Sequence, residues 1–396
     1  MCTSIYLETL DKKHLLARTM DFSFPLNCDI VYLPRNYNWE SSSNNEKHSN
    51  KYGVIGAGRS LGKSYFLGDG VNEHGLAIAE LYLPNKAVYQ DNIEDGKTNL
   101  APHEFITWAL GKFKTIADLK KALSKVRLIN SPAPLIDTVM PLHWIVTNDS
   151  GQCFVIEPTG KILHLKENPV GVMTNTPELE WHLENLNNYL NVRPKQFDSV
   201  SYGSLKAIPF SQGTGTLGLP GGFTPPERFV RAAFFKENIK KAKTEKEGVN
   251  TALKILSTVQ IPKGIVVTSD NKEDYSQFTS IMCHQSKTYY FKDYGNNRIS
   301  EATINDSLLK MTTPKIFSIK RSEDIFAFNK PDTPDIDLSK TKETVAVQSD
   351  LLNQELSNLA RSFINNNLKE DMHENMDQII DTLKYLINNS ELLNNK

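Results

Sequence analysis

A cysteine at position 2 leads without a spacer into Thr3-Ser4-Ile5-Tyr6-Leu7-Glu8, a β-branched and aromatic run of strand character. A chain that starts this way carries its first residues inside a sheet rather than on a frayed end. Residues 14–20 (His-Leu-Leu-Ala-Arg-Thr-Met) predict the partner strand of a hairpin, with Leu10 to Lys13 as the turn. The return strand brings Arg18 and Asp21 back beside Cys2. A surface ion pair on a hairpin is the plainer use of such residues, but the cysteine gives them another. Position 2 is small enough for an initiator Met to be removed. Cys2 would then carry both a thiol and a free α-amino group, which titrates near about 7.8 and can take the thiol proton with no His partner. In that arrangement Arg18 places positive charge near sulfur, and Asp21 accepts a hydrogen bond from the amine.

Further along, strands are expected near Asp29 to Leu33, Tyr52 to Gly56 and Gly75 to Tyr82, then helices at Pro102 to Phe113 and Ile116 to Val126. A second strand block covers His143 to Thr147, Gln152 to Glu157, Ile162 to Leu165 and Val170 to Thr174. Helices return at Pro177 to Tyr189, Pro226 to Lys240 and Gly248 to Ser257, before strands at Thr279 to Met282 and Thr288 to Lys292. Strands and helices in blocks indicate an α+β fold rather than a doubly wound parallel sheet.

Five segments, in this order and at this spacing, carry a resemblance. They are Cys2 with residues 17–22 (Ala-Arg-Thr-Met-Asp-Phe), residues 69–76 (Asp-Gly-Val-Asn-Glu-His-Gly-Leu), residues 171–177 (Gly-Val-Met-Thr-Asn-Thr-Pro), the glycine-rich run 213–225, and residues 275–283 (Tyr-Ser-Gln-Phe-Thr-Ser-Ile-Met-Cys). Together they resemble the choloylglycine hydrolase family. These are N-terminal nucleophile (Ntn) amidohydrolases that include conjugated bile acid hydrolases and penicillin V acylases. The resemblance spans roughly residues 2 to 328, and it implies a four-layer αββα sandwich with Cys2 emerging between two antiparallel sheets.

The resemblance also implies roles. Cys2 matches the nucleophile, Arg18 and Asp21 its two partners, and Arg228 a second arginine near the reaction centre. Asn175 matches a side-chain amide forming half of an oxyanion hole, where a preset donor stabilises charge that develops on the carbonyl oxygen. A helix cap before Thr176-Pro177-Glu178 is the other reading of Asn175. The Tyr82 backbone N–H matches the second oxyanion donor. Penicillin V acylase-like members tend to carry Tyr at this position and bile acid hydrolases Asn, and a phenol ring offers an apolar face to an aryl group. The expectation is therefore an amide C–N hydrolase acting on the phenoxyacetyl amide of penicillin V, with conjugated bile acid hydrolysis as the alternative. Acyl-homoserine lactone cleavage and a non-catalytic small-molecule binder are weaker readings. Apolar contributions to an acyl pocket are expected from Met20 and Phe22, from residues 58–67, and from residues 135–142, with Leu135, Val139 and Leu142 named. The excursion from Asn188 to Gly222 corresponds to a segment that joins subunits, so a homotetramer is expected.

Composition bounds the rest. With 396 residues, 39% hydrophobic, 23% charged and a formal net charge of -1, the chain is ordinary globular material without the basic surface of a nucleic-acid binder. No stretch is apolar enough to span a bilayer, and no basic start with an apolar core marks a signal peptide. Cys2, Cys28, Cys153 and Cys283 lack CxxC spacing and fit a cytoplasmic protein, and the histidines lack HExxH spacing, so neither metal nor cofactor is expected. Gly213, Gly215 and Gly218 spell GxGxxG, but Pro209 precedes them and Pro220, Pro225 and Pro226 delay the next helix. That is a loop, not a dinucleotide cradle. Residues 1–329 are read as the catalytic domain and 330–396 as a linker with a helical C-terminal extension. In that extension Leu352, Leu356, Leu359 and Phe363, then Met376, Ile379, Leu383, Leu386 and Ile387, recur at helical spacing.

Overall fold

The computed structural model describes residues 1–61, 64–134 and 138–327. Leu135 and the expected C-terminal helices lie outside the described residues. Residues Met1–Asp324 form one compact unit.

Two antiparallel sheets make its centre. The first runs Val172–Met173, Cys2–Glu8, His14–Phe22, Glu273–Cys283, Thr288–Asp293, Ser300–Thr303, with Val266–Val267 added beside Glu273–Cys283. The second runs Lys166–Glu167, Cys153–Ile156, Leu142–Thr147, Ala77–Tyr82, Asp69–Asn72, Val54–Leu61, Asp29–Leu33, Lys315–Phe317, and Ser64–Leu67 pairs off Val54–Leu61. Alternation along Ala77–Tyr82 shows how the layers divide. Ala77, Ala79 and Leu81 share a core with Cys2, Ile5 and Met282 of the first sheet, whereas Ile78 joins a second core with Phe105, Leu110 and Trp144. The helix Phe105–Lys112 covers the second sheet, and the helices Pro225–Asn238 and Glu245–Ser257 cover the first. The order is therefore helix, sheet, sheet, helix, as the resemblance implied.

Local chemistry explains the quoted segments. Asn72 ends a strand at the turn into Ala77–Tyr82; its Oδ1 accepts from the backbone N–H of His74 (3.0 Å) and Leu76 (3.1 Å), and its Nδ2 donates to the carbonyls of Leu110 and Phe113 that end a helix. Gly75 turns at φ +79°, where a Cβ would meet the His284 carbonyl oxygen at 2.5 Å. The GxGxxG run is a loop as expected, and Gly215 is packed so closely on the Lys195 carbonyl that a Cβ would lie 2.1 Å from it.

Some expected elements move. The strand expected at Ile162 to Leu165 forms instead at Lys166–Glu167, because Ile162 is exposed while Lys166 and Glu167 pair with Val155 and Phe154. The strand expected from Tyr52 starts at Val54, and Val126 leaves its expected helix to pair in parallel with Thr98.

Candidate active site

Strand pairing sets the site. Cys2 lies opposite Met20 and Ser4 opposite Arg18 in the first hairpin, and the strand Glu273–Cys283 then places Ser280 opposite Arg18 and Ser276 opposite Asp21. Cys2 is 3% exposed, and Arg18, Asp21 and Arg228 have no exposed surface. Two arginines buried this deeply need partners, and they have them.

Arg18 donates from Nη2 to Cys2 Sγ at 2.9 Å and to the Glu80 carbonyl at 3.0 Å, and from Nε to the Thr19 carbonyl at 3.0 Å. Its Nη1 meets Asp69 Oδ2 at 3.3 Å. Asp69 also accepts from Ser280 Oγ (2.8 Å), from the Tyr289 hydroxyl and from the Ala57 N–H (3.3 Å). Burial works against the Arg18 charge, but Cys2, Asp69 and Glu80 outweigh it and hold its pKa above the usual arginine range.

Arg228 comes from the first turn of Pro225–Asn238, a helix opened by Thr224 and by Glu227, whose Oε2 accepts from Thr224 Oγ1 at 2.6 Å. Its Nη1 donates to the Cys2 carbonyl (2.6 Å) and Thr3 Oγ1 (2.5 Å), and its Nη2 to Asn175 Oδ1 (2.7 Å). Burial lowers its pKa, with Asp21 and Cys2 opposing.

Asn175 is not the helix cap. The helix Leu179–Asn185 starts after Glu178, and the Asn175 side chain faces the cysteine instead. Its Oδ1 accepts from the Cys2 backbone N–H at 2.8 Å, and its Nδ2 donates to the Tyr82 carbonyl at 2.8 Å. Nδ2 carries two hydrogens, so one remains after the Tyr82 bond. Glu80 N–H donates to the Gly68 carbonyl at 3.0 Å and Leu83 N–H to the Pro141 carbonyl at 2.6 Å; alternation therefore sends Tyr82 N–H to the Gly68 edge, one step past Gly68.

Asp21 differs from expectation in its contacts. With Met1 attached, the Cys2 N–H goes to Asn175, while the Asp21 carboxylate accepts from Ser276 Oγ (2.6 Å) and Thr19 Oγ1 (3.2 Å) and lies 3.8 Å from Arg228 Nη1. Met1 itself is held by its main chain. Its amine donates to the Asp21 carbonyl at 2.7 Å and lies 3.5 Å from Asp274 Oδ2, and its carbonyl accepts from Asp21 N–H at 3.0 Å.

Cys2 lies on the wall of a cavity of about 260 Å³. Met20, Phe22 and Leu142, named above as contributors to an acyl pocket, line it, and so does Tyr82. Val139 does not; its neighbour Met140 does, and Val139 is only half-buried. Phe22 packs edge-on against both Phe24 (4.5 Å between centroids) and Tyr82 (5.2 Å). Sequence reasoning passed over Asp69, Ser276 and Ser280, although each falls inside a quoted segment. It also passed over Glu80, the one charged residue in the apolar run Gly75 to Tyr82, and that interruption was the available signal. Among the described residues, no helix is long and apolar enough to cross a membrane.

Comparison with known proteins bears on family and fold. Residues 2–317 match the family of linear amide C-N hydrolases, choloylglycine hydrolase family. The bile salt hydrolase/transferase of Clostridium perfringens is 33% identical over 81% of this chain and 98% of its own length. The crystal structure of the C2A mutant of the conjugated bile acid hydrolase from Clostridium perfringens superposes with a TM-score of 0.78 at 33% identity, covering 83% of this chain and 100% of that one. The penicillin V acylase of Pectobacterium atrosepticum is 24% identical over 74% of this chain and 77% of its own length. Fold, segment order and extent of match lead to one conclusion: this chain belongs to the choloylglycine hydrolase family and is a linear amide C-N hydrolase.

Proposed function

We propose that the protein uses Cys2 as an N-terminal nucleophile to hydrolyse the amide of a conjugated bile acid, releasing glycine or taurine. The observation that carries this is the mainly apolar cavity opening on Cys2, which suits a bulky hydrophobic acyl group and leaves a polar amine half outside it. The 33% identity to bile salt hydrolases, against 24% to a penicillin V acylase, supports the same choice and reverses the order of preference drawn from Tyr82. The penicillin V reading keeps one supporting observation, the edge-to-face cluster of Tyr82, Phe22 and Phe24, which would also stack a phenoxy ring.

The mechanism begins with loss of Met1. The freed Cys2 amine takes the thiol proton, directly or through water, and Sγ attacks the substrate carbonyl while Arg18 stabilises negative charge on sulfur. The second Asn175 Nδ2 hydrogen and the Tyr82 N–H receive the oxyanion. Collapse breaks the C–N bond as the ammonium returns its proton to the leaving nitrogen. Water, deprotonated by the same amine, then cleaves the thioester and frees the acid. Arg228 and Asn175 fix the Cys2 main chain, and Asp21 balances the Arg228 charge.

The exposed apolar side chains of Leu190, Tyr202, Leu205, Ile208, Phe210 and Leu217 support assembly into a homotetramer through the excursion they occupy. Light scattering at micromolar concentration checks it, and a monomer mass argues against it. For the chemistry, intact-mass spectrometry is expected to show a chain starting at Cys2. Cys2→Ala should abolish amine release from glycine and taurine conjugates, and turnover in that variant would end the proposal. Parallel rates on bile acid conjugates and penicillin V rank the two substrates.

A further inference from the structure

Most polar groups around the cavity are already engaged. Arg59 donates from Nη1 to the Leu26 carbonyl at 2.8 Å, and burial keeps the Cys28 thiol protonated by pushing it up to about 12. Glu80 is the exception. Its main-chain oxygen is held by Arg18, yet its carboxyl Oε2 is enclosed by protein and has no hydrogen-bond partner among the described residues. The rest of the surrounding wall is largely apolar, with Met20, Phe22, Leu26, Phe66 and Leu142. A carboxyl oxygen enclosed without a partner is costly; because Glu80 lines the cavity and is only part-buried as a residue, a turn of its carboxyl group brings that oxygen to a ligand that supplies the missing bond.

We propose that Glu80 is a specificity-determining residue that receives a hydroxyl group on the acyl half of the substrate. The proposal rests on the reading of this cavity as the acyl pocket. A hydroxyl fits better than an ammonium, because the nearby Arg18 charge already acts on the carboxyl and would repel a second cation. A Cβ placed on Gly68 would lie 3.6 Å from Glu80 Oε1 and 3.9 Å from Arg18 Nη1, so the two side chains flank that glycine. Burial pushes the Glu80 carboxyl up to about 8, with Arg18 opposing and Asp69 adding. At neutral pH the group is then an uncharged acid that can both donate to and accept from a hydroxyl. Glu80 lies two residues before Tyr82 on one strand, so the two side chains share a face.

The test compares pairs of amides differing only by a hydroxyl on the acyl group: glycine-conjugated steroid acids with and without a ring hydroxyl, and phenoxyacetyl amides with and without one on the ring. The wild type, Glu80→Gln and Glu80→Met are assayed for kcat/KM, and binding of the corresponding free acids is measured by calorimetry. In at least one series the wild type is expected to favour the hydroxylated member by about tenfold or more. Glu80→Met should lose that ratio while retaining turnover of the deoxy member, and Glu80→Gln should keep most of it. Ratios that are the same in the wild type and Glu80→Met overturn the assignment, as does a wild type that favours the deoxy member in both series. Cleavage of neither series, with hydroxyl discrimination intact in binding, counts against the hydrolase reading and supports Glu80. Melting temperatures show whether each variant is folded.

Discussion

Asn175→Asp separates the two jobs of one side chain. The carboxylate keeps an oxygen to accept from the Cys2 main-chain nitrogen and from Arg228 Nη2, bonds of 2.8 Å and 2.7 Å in the native protein. What it removes is Nδ2, which donates to the Tyr82 carbonyl at 2.8 Å and, in the mechanism proposed above, offers its second hydrogen to the substrate oxyanion. A carboxylate oxygen there would face the Tyr82 carbonyl and repel the developing negative charge. Loss of a single oxyanion donor costs about 2.7–4 kcal/mol, or roughly 10²–10³ in kcat. Arg228 should hold the fold together by pairing with the new carboxylate, so melting temperature should change little. The assay is release of glycine from a conjugated acid under saturating and limiting substrate, giving kcat and KM separately. The expected result is a kcat reduced by at least about a hundredfold with KM within a few-fold, since the donor acts mainly in the transition state. A variant with wild-type KM and a kcat within tenfold of wild type would refute the assignment of Asn175 to the oxyanion.

Other perturbations address the frame around the site. Arg18→Met leaves Asp69 buried without its cation, and about 3–5 kcal/mol of stability should be lost by denaturant titration along with activity. His284 bonds the Gly75 carbonyl at 2.7 Å and Thr147 Oγ1 at 3.1 Å, and burial lowers its pKa from 6.5 to about 4. Because the folded value lies below the unfolded one, its stabilisation is full above about pH 6.5 and is lost as pH falls toward 4. At about 1.36 kcal/mol per unit, the loss is on the order of 3 kcal/mol. Melting curves across that window should fall, and His284→Gln should flatten part of the fall; an identical slope in both proteins would count against it. Truncation after Asn329 should leave kcat and KM unchanged, and loss of activity would assign residues 330–396 to the catalytic unit.

What sequence revealed follows from how local each determinant is. Cys2, Arg18 and Asp21 are brought together by one hairpin, and strand alternation in residues 3–8 and 14–22 shows that hairpin directly. Asn175 and Arg228 reach Cys2 from 173 and 226 residues away, and only the resemblance pointed to them. Asp69 and Ser276 were missed because an acid in a turn-like segment and a serine in a strand have many ordinary uses; their roles depend on pairings across and between sheets. The pocket was half legible: Met20 and Phe22 sit on the readable hairpin, whereas Val139 belongs to a loop whose direction no periodicity fixes.

Met1 precedes the first strand, and its amine and carbonyl are both bonded to the main chain of Asp21. The loss of Met1 that the proposed mechanism requires would therefore do two things at once: it would free the Cys2 amine and leave the Asp21 carbonyl and N–H without those partners beside it.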